Sequence, residues 1–246
     1  MHNYIVMTIV VHMSSSVTTL QAAERLGVHP SRVRALIAAG ALLARRAGRQ
    51  WLIDADSLDR HADLVAAGAT GRSFAPRIAW AAAALCDGLD DGLTAADRYR
   101  LRSRLVHSAD RDVDACALVR RWLSRRANSV DRYRVGERDL AQLLAADGVL
   151  ATGISAASEY SLGLAAGGSA DAYVNDQTRR ELVEKFVLID SARGNLTLRV
   201  TDAAPFDNAA APRLIAGADL ADDADARTRA AGCALINDAL RAVREG

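Results

Sequence analysis

The sequence predicts a mainly α protein with an α+β C-terminal part, in which a small N-terminal domain precedes a larger body. Three observations carry this. Ala and Leu abound and only 4% of residues are aromatic, a composition rich in helix formers. Near the N-terminus, two short helical patterns flank a glycine and lead into an arginine-rich segment ending in Trp51 and Ile53. Further on, Leu196, Leu198 and Val200 alternate with Thr197 and Arg199, the period of a half-buried strand.

The elements follow in order. Residues 1–16 are a polar-ended lead-in; "IVMTIVV" at 5–11 is too short to span a bilayer and reads as a short strand or as a start site placed too early. Thr18 or Thr19 can cap a first helix, since a hydroxyl accepts from an unpaired backbone N–H. Leu20, Ala23 and Leu26 share one face of it, and Gly27 ends it by tolerating a positive φ. Pro30 opens a second helix at a position where its missing N–H does no harm. Val33, Leu36 and Ile37 form its inner face, and Gly40 ends it. "LLARR" and "RQWLI" read as a hairpin turning at Ala47-Gly48, and Asp54 as the cap of a third helix from about Ala55 to Ala66, with Leu58 and Leu64 or Val65 inward. This gives a domain at 17–66. The aperiodic "AAGATGRSFAP" ends in Pro, so 67–76 reads as a linker.

The body, 77–246, begins with three helical pieces. "RIAWAAAALCDGL" is apolar nearly all round and should be buried. "TAADRYRLRSRLV" starts at a Thr94 cap, and "DVDACALVRRWLSRR" runs from acidic to basic, as a helix dipole favours. Then come a short helix "ERDLAQLLAA", strands "GVLATGISA" and "ADAYV" flanking the loop "LAAGGSA", a helix "DQTRRELVEKF", the strand "GNLTLRVTD", and a closing helix "DADARTRAAGCALINDALRAV".

The net charge of +1 hides an asymmetry. Residues 1–135 carry 20 Lys+Arg against 13 Asp+Glu, while residues 136–246 carry 11 against 17. A basic half joined to an acidic half suggests an arm for a polyanion and a body with another task. Cys86, Cys116 and Cys233 are odd in number and far apart, so no disulfide framework is expected and a reduced, cytoplasmic setting fits.

Helix, glycine turn, helix and basic hairpin make a helix-turn-helix with a wing. The second helix must enter a groove about 12 Å wide, so its outer face must be polar and slim. That face carries Ser31, Arg32, Arg34, Ala35 and Ala38. Arg can pair with guanine and Ala can touch a thymine methyl. The helix start near His29 to Ser31 favours a phosphate. Arg45, Arg46, Arg49 and Gln50 suit phosphates or an adjacent minor groove, while Trp51 and Ile53 anchor the hairpin. With Thr19 at the start of the first helix, the candidate DNA contacts are Thr19, His29, Ser31, Arg32, Arg34, Arg45, Arg46, Arg49 and Gln50.

Residues 17–61, "VTTLQAAERLGVHPSRVRALIAAGALLARRAGRQWLIDADSLDRH", resemble the small winged helix-turn-helix of the excisionase and MerR families. His29 departs from the pattern, where a Ser or Thr cap is usual. The resemblance implies double-stranded DNA as the partner and transcription regulation as the role. "LRSRL…LVRRWLSRRANSVDRYRV…DLAQLLAADGVLATGISAAS", with "DAYV" and "NLTLRV", is similar to the body of AbiE-type antitoxins of type IV toxin–antitoxin systems. That resemblance implies an autorepressing protein paired with a nucleotidyltransferase-like toxin. Such antitoxins can act without stable toxin contact, so no toxin-binding residues carry over. A homodimer on DNA is expected.

An enzyme is not expected. Residues 136–246 contain no histidine, so neither a Ser-His-Asp triad nor a His-rich metal site can be built there. There is no phosphate loop, and "LAAGGSA" lacks the third glycine of a dinucleotide cradle. Asp219, Asp222, Asp223 and Asp225 read as caps and dipole partners rather than metal ligands. No cofactor and no metal is expected. The arginines of 98–134 read either as a solvated face or as a second nucleic-acid surface, which would extend a DNA footprint or hold an acidic toxin or RNA. The alternative for the whole chain is a ligand- or protein-sensing adaptor whose helix-turn-helix serves assembly.

Overall fold

A computed structural model describes residues 16–38, 41–48, 50–66, 73–109, 114–207 and 209–245. The expected strand at 5–11, the Gly40 stop, Arg49, most of the expected linker and the Leu64 and Val65 side chains lie outside the described residues. The chain divides into two units, Met1–Ala62 and Asp63–Gly246.

In the first unit, strand β1 (Ser16–Thr18) leads into α1 (Thr19–Leu26) and α2 (Pro30–Ala38). The cap of α1 is Thr18: its hydroxyl accepts from the Gln21 N–H while the Gln21 side chain accepts from the Thr18 N–H, a capping box. Thr19 is therefore the first helical residue. Gly27, at φ 62°, donates to the Glu24 carbonyl, and Val28 donates to the Ala23 carbonyl. This double closure reverses the chain within two residues. Strands β2 (Ala44–Ala47) and β3 (Gln50–Asp54) form an antiparallel hairpin, and β1 joins β3 to give the order β1-β3-β2. Ala47 pairs with Gln50, so the turn includes Gly48 at φ 60°, one residue later than the sequence suggests. Asp54 caps α3 (Ala55–Ala66) by accepting from Ser57. Ala22, Ala23, Val33, Leu36, Leu42, Ile53 and Leu58 are buried together as the core.

The second unit pairs a helical layer with a sheet. Helices α4 (Pro76–Cys86), α5 (Ala95–Ala109) and α6 (Ala115–Trp122) precede β4 (Ser129–Arg134). A 3₁₀ turn and α7 (Leu140–Leu144) lead to β5 (Leu150–Ala151), and then come β6 (Ala170–Val174), α8 (Asp176–Lys185), β7 (Ile189–Asp190) and β8 (Leu196–Val200). Helices α9 (Arg213–Ala221) and α10 (Ala226–Glu245) close the unit. The sheet order is β5-β6-β8-β4-β7, with β6 and β8 parallel and the other pairs antiparallel. Leu196, Leu198 and Val200 face a core with Leu140, Leu143 and Leu182. The larger core lies among α4, α5, α6, α9 and α10, with Trp80, Leu105, Trp122, Ile215 and Leu240 buried.

Three expectations fail here. "GVLATGISA" is a strand only at Leu150–Ala151, because Gly153 adopts φ 50° and a 3₁₀ turn follows at Gly153–Ala156. Of the acidic run only Asp225 caps the closing helix, accepting from the Thr228 N–H at 2.8 Å, whereas Asp219 lies inside α9 and Asp222 follows its last residue. The cysteines do not all stay apart: Cys116 on α6 and Cys233 on α10 form a disulfide, leaving Cys86 as a buried free thiol. The separation of 117 residues hides a pair that packing brings together. No helix among the described residues is long and apolar enough to cross a membrane.

Candidate nucleic-acid interface

Helix α2 turns one face to the core and the other outward. Val33 and Leu36 are buried, while Ser31, Arg32, Arg34, Ala35 and Ala38 are exposed. The two faces follow from the 3.6-residue period, and the small Ala35 and Ala38 keep the outer one slim. His29, the departure from the family pattern, takes over the missing cap. Its Nδ1 accepts from the Ser31 backbone N–H at 3.3 Å and lies 2.9 Å from the Ser31 hydroxyl. With Pro30 first in the helix, the Ser31 N–H is the one a cap ordinarily satisfies. His29 and Ser31 thus hold each other at the exposed start of α2, where Pro30 has no N–H and the Ser31 and Arg32 N–H groups are both taken up by His29, so the helix dipole rather than free N–H groups favours an anion there.

The hairpin separates its candidates by face. Cross-strand partners share a side of the sheet. Arg45 pairs with Leu52, and Ala47 with Gln50; Arg46 pairs with Trp51, on the side of the buried Ile53. Arg45 and Gln50 therefore occupy one side, and Arg46 the other, where its guanidinium stacks 5.8 Å from the Trp51 ring. Arg45, Arg46 and Gln50 are all exposed. Thr19 is half-buried beside the capping box. The hairpin is braced by Leu43, whose N–H donates to the Ser57 hydroxyl, and Arg25 pairs with Asp59 across α1 and α3.

The arginines of α5 and α6 are largely occupied. Arg98 makes a bidentate pair with Asp91 at 2.6 and 2.8 Å, and this pairing holds the Asp91 carboxyl below the usual range. Arg100 pairs with Asp97, and Arg104 lies over the Phe74 and Trp122 rings at 4.7 and 4.6 Å. Arg120 and Arg126 enter a buried network. Arg126 donates through Nε to Asp219 at 2.7 Å and through Nη2 to Asp222 at 2.8 Å. Arg120 donates to Asp222, Arg199 lies 3.2 Å from Asp219, and Arg199 also pairs with Asp171. Asp219 further accepts from Thr152 at 2.5 Å and from Tyr173 at 3.3 Å. Burial raises the Asp171 carboxyl pKa despite Arg199. For Asp222, burial pushes the same way, but Arg126 and Arg120 outweigh it and hold the carboxyl below its ordinary range. Three guanidiniums face three carboxylates, so the cluster neutralises itself and serves as a structural junction between α6, α9 and the sheet. Sequence reasoning missed it because 93 residues separate Arg126 from Asp219.

A family model described as a helix-turn-helix domain matches residues 17–63. Residues 17–63 thus form a helix-turn-helix domain, covering roughly a fifth of the chain. No curated protein and no solved structure matches the chain.

Proposed function

We propose that this chain, carrying a helix-turn-helix at its N-terminal end, regulates transcription by docking on duplex DNA without chemical turnover. One observation carries the reading: the outward face of α2 presents Arg32 and Arg34 with Ser31, Ala35 and Ala38, while its inner face is fully engaged in the core. Arg32, Arg34 and Ser31 read base edges in the major groove. The hairpin is the wing, and Arg45 with Gln50 on its one side meets the phosphate backbone. A single module of this kind buries about 600–1,000 Å², so tight binding calls for two copies on half-sites about 34–36 Å apart.

The narrower role is that of an autorepressing antitoxin beside a nucleotidyltransferase-like toxin; it rests on the resemblance of the body alone. A gel shift with the DNA upstream of its own gene tests both levels. Retardation lost on removing residues 1–70 supports DNA docking through this domain, and retardation by the promoter over unrelated duplexes supports autorepression. Arg32→Ala should flatten the preference between operator and unrelated DNA by about 1–3 kcal/mol. No retardation of any duplex by the intact chain would end the proposal.

A further inference from the structure

Nine arginines of the second unit, Arg98, Arg100, Arg120, Arg126, Arg179, Arg180, Arg199, Arg213 and Arg241, stand in ion pairs. Arg132 and Arg134 on β4 differ. Both are exposed, and neither forms an ion pair with a described residue; Arg134 donates only to the Arg193 carbonyl, at 3.1 Å.

Their register places them together. Arg132 pairs with Thr197 and Arg134 with Ile189, so the two arginines and these partners share one face of the sheet. Toward β6 the same face is closed, with Tyr173 fully buried and Arg199 and Asp171 in the charge network. Toward β4 and β7 it is open, and Ile189 is 62% exposed. The acids of these two strands, Asp131 and Asp190, sit at the alternating positions and belong to the opposite face. The open part is thus cationic and apolar, without a strand carboxylate. This is a local feature of a unit that carries 24 Lys+Arg against 26 Asp+Glu.

We propose that this open face, centred on Arg132 and Arg134, is a second anchor for the phosphate backbone of duplex DNA. The inference rests on the DNA-docking reading above. Two residues of strand set the Cα atoms of the two arginines about 6.8 Å apart, from which their long side chains reach successive phosphates, while Ile189 offers apolar surface to the sugars between them. Once the helix-turn-helix holds a duplex, the linked unit meets phosphate at high effective concentration, which adds to the small footprint of the first module.

The test uses the full chain and a fluorescein-labelled mixed-sequence duplex several helical turns long, with anisotropy titrations across a range of salt. Arg132→Ala/Arg134→Ala should lower the slope of log K against log salt by about 1.8, that is 0.9 for each lost phosphate. Arg132→Lys/Arg134→Lys should keep the slope, because a point charge suffices. Thermal melting should be the same for all, both side chains being exposed. If the double alanine variant keeps the slope while Arg34→Ala/Arg45→Ala lowers it, the second anchor is refuted and DNA docking stands. If neither pair changes the slope, the reading of both surfaces falls. If the alanine pair weakens binding only to a single-stranded RNA oligonucleotide, the occupant is RNA and the proposal is overturned.

Discussion

Replacing Asp219 by Asn keeps the shape and removes one charge from the centre of the second unit. Asp219 is fully buried and sits between Arg126, whose side chain is 6% exposed, and Arg199. Breaking a buried pair by removing one partner costs about 3–5 kcal/mol, because the remaining charge is left uncompensated. Arg126 keeps Asp222 and Arg199 keeps Asp171, which places the expected loss near the low end, about 3 kcal/mol. For a unit of this size each kcal/mol lowers Tm by about 2–4 °C, so the shift should be about 6–12 °C. Urea unfolding followed by circular dichroism at pH 7 measures the loss, and the slope with urea should not change. Asp219→Leu combined with Arg126→Met should recover much of it, since an apolar pair of similar volume carries no desolvation penalty. A loss under 1 kcal/mol for Asp219→Asn, or simple additivity in the double variant, would refute the view that opposed charges hold this junction.

Other perturbations follow from the same structure. His29→Ala removes the cap of α2 and should destabilise the first unit by about 0.5–2 kcal/mol, whereas His29→Ser should retain most of it, as thermal melts of both will tell. Gly232→Ala places a methyl 2.6 Å from the Gly217 carbonyl at the α9–α10 crossing; the overpacking should cost about 1–3 kcal/mol in urea titrations. Reducing the Cys116–Cys233 disulfide, or the Cys116→Ser/Cys233→Ser variant, should cost the second unit about 2–5 kcal/mol, read by melting with and without dithiothreitol. The depressed Asp222 carboxyl adds stability that is full above its unfolded pKa, about 3.9, and fades as pH falls toward the folded value. Asp222→Asn should therefore flatten that part of the acid limb in an unfolding series between pH 5 and pH 2.

The first unit was legible because its signals are local. Gly27, Pro30 and Asp54 act within a few residues of where they stand, and the capping choice between Thr18 and Thr19 was off by one at most. The outward face of α2 could be read from helical period alone. The hairpin could not, since which side Arg46 takes depends on pairing with Trp51 across the turn. In the second unit, β4 escaped notice because Arg132 and Arg134 on one face alternate with Asp131 and Tyr133 on the other, so no apolar period marks it. Helix α9 begins after Pro212 without a side-chain cap, and its single acid, Asp219, reads as surface until Arg126 is brought to it. In the arginine-rich stretch of α5 and α6 the partners are mixed: Arg120 meets Asp222 far along the chain, whereas Arg98 and Arg100 pair with the nearby Asp91 and Asp97.

The closing helix sets an order on how the molecule is made. Ile236, Ala239, Leu240 and Val243 of α10 complete the core begun by Trp80 of α4 and Leu105 of α5, so that core stays unfinished until residues 236–243 have left the ribosome. Among the described residues, the core of the first unit draws only on side chains between Val17 and Leu58. During translation the leading module can therefore mature while the trailing one is still open, and a prematurely stopped chain would present a finished head on an unfinished tail.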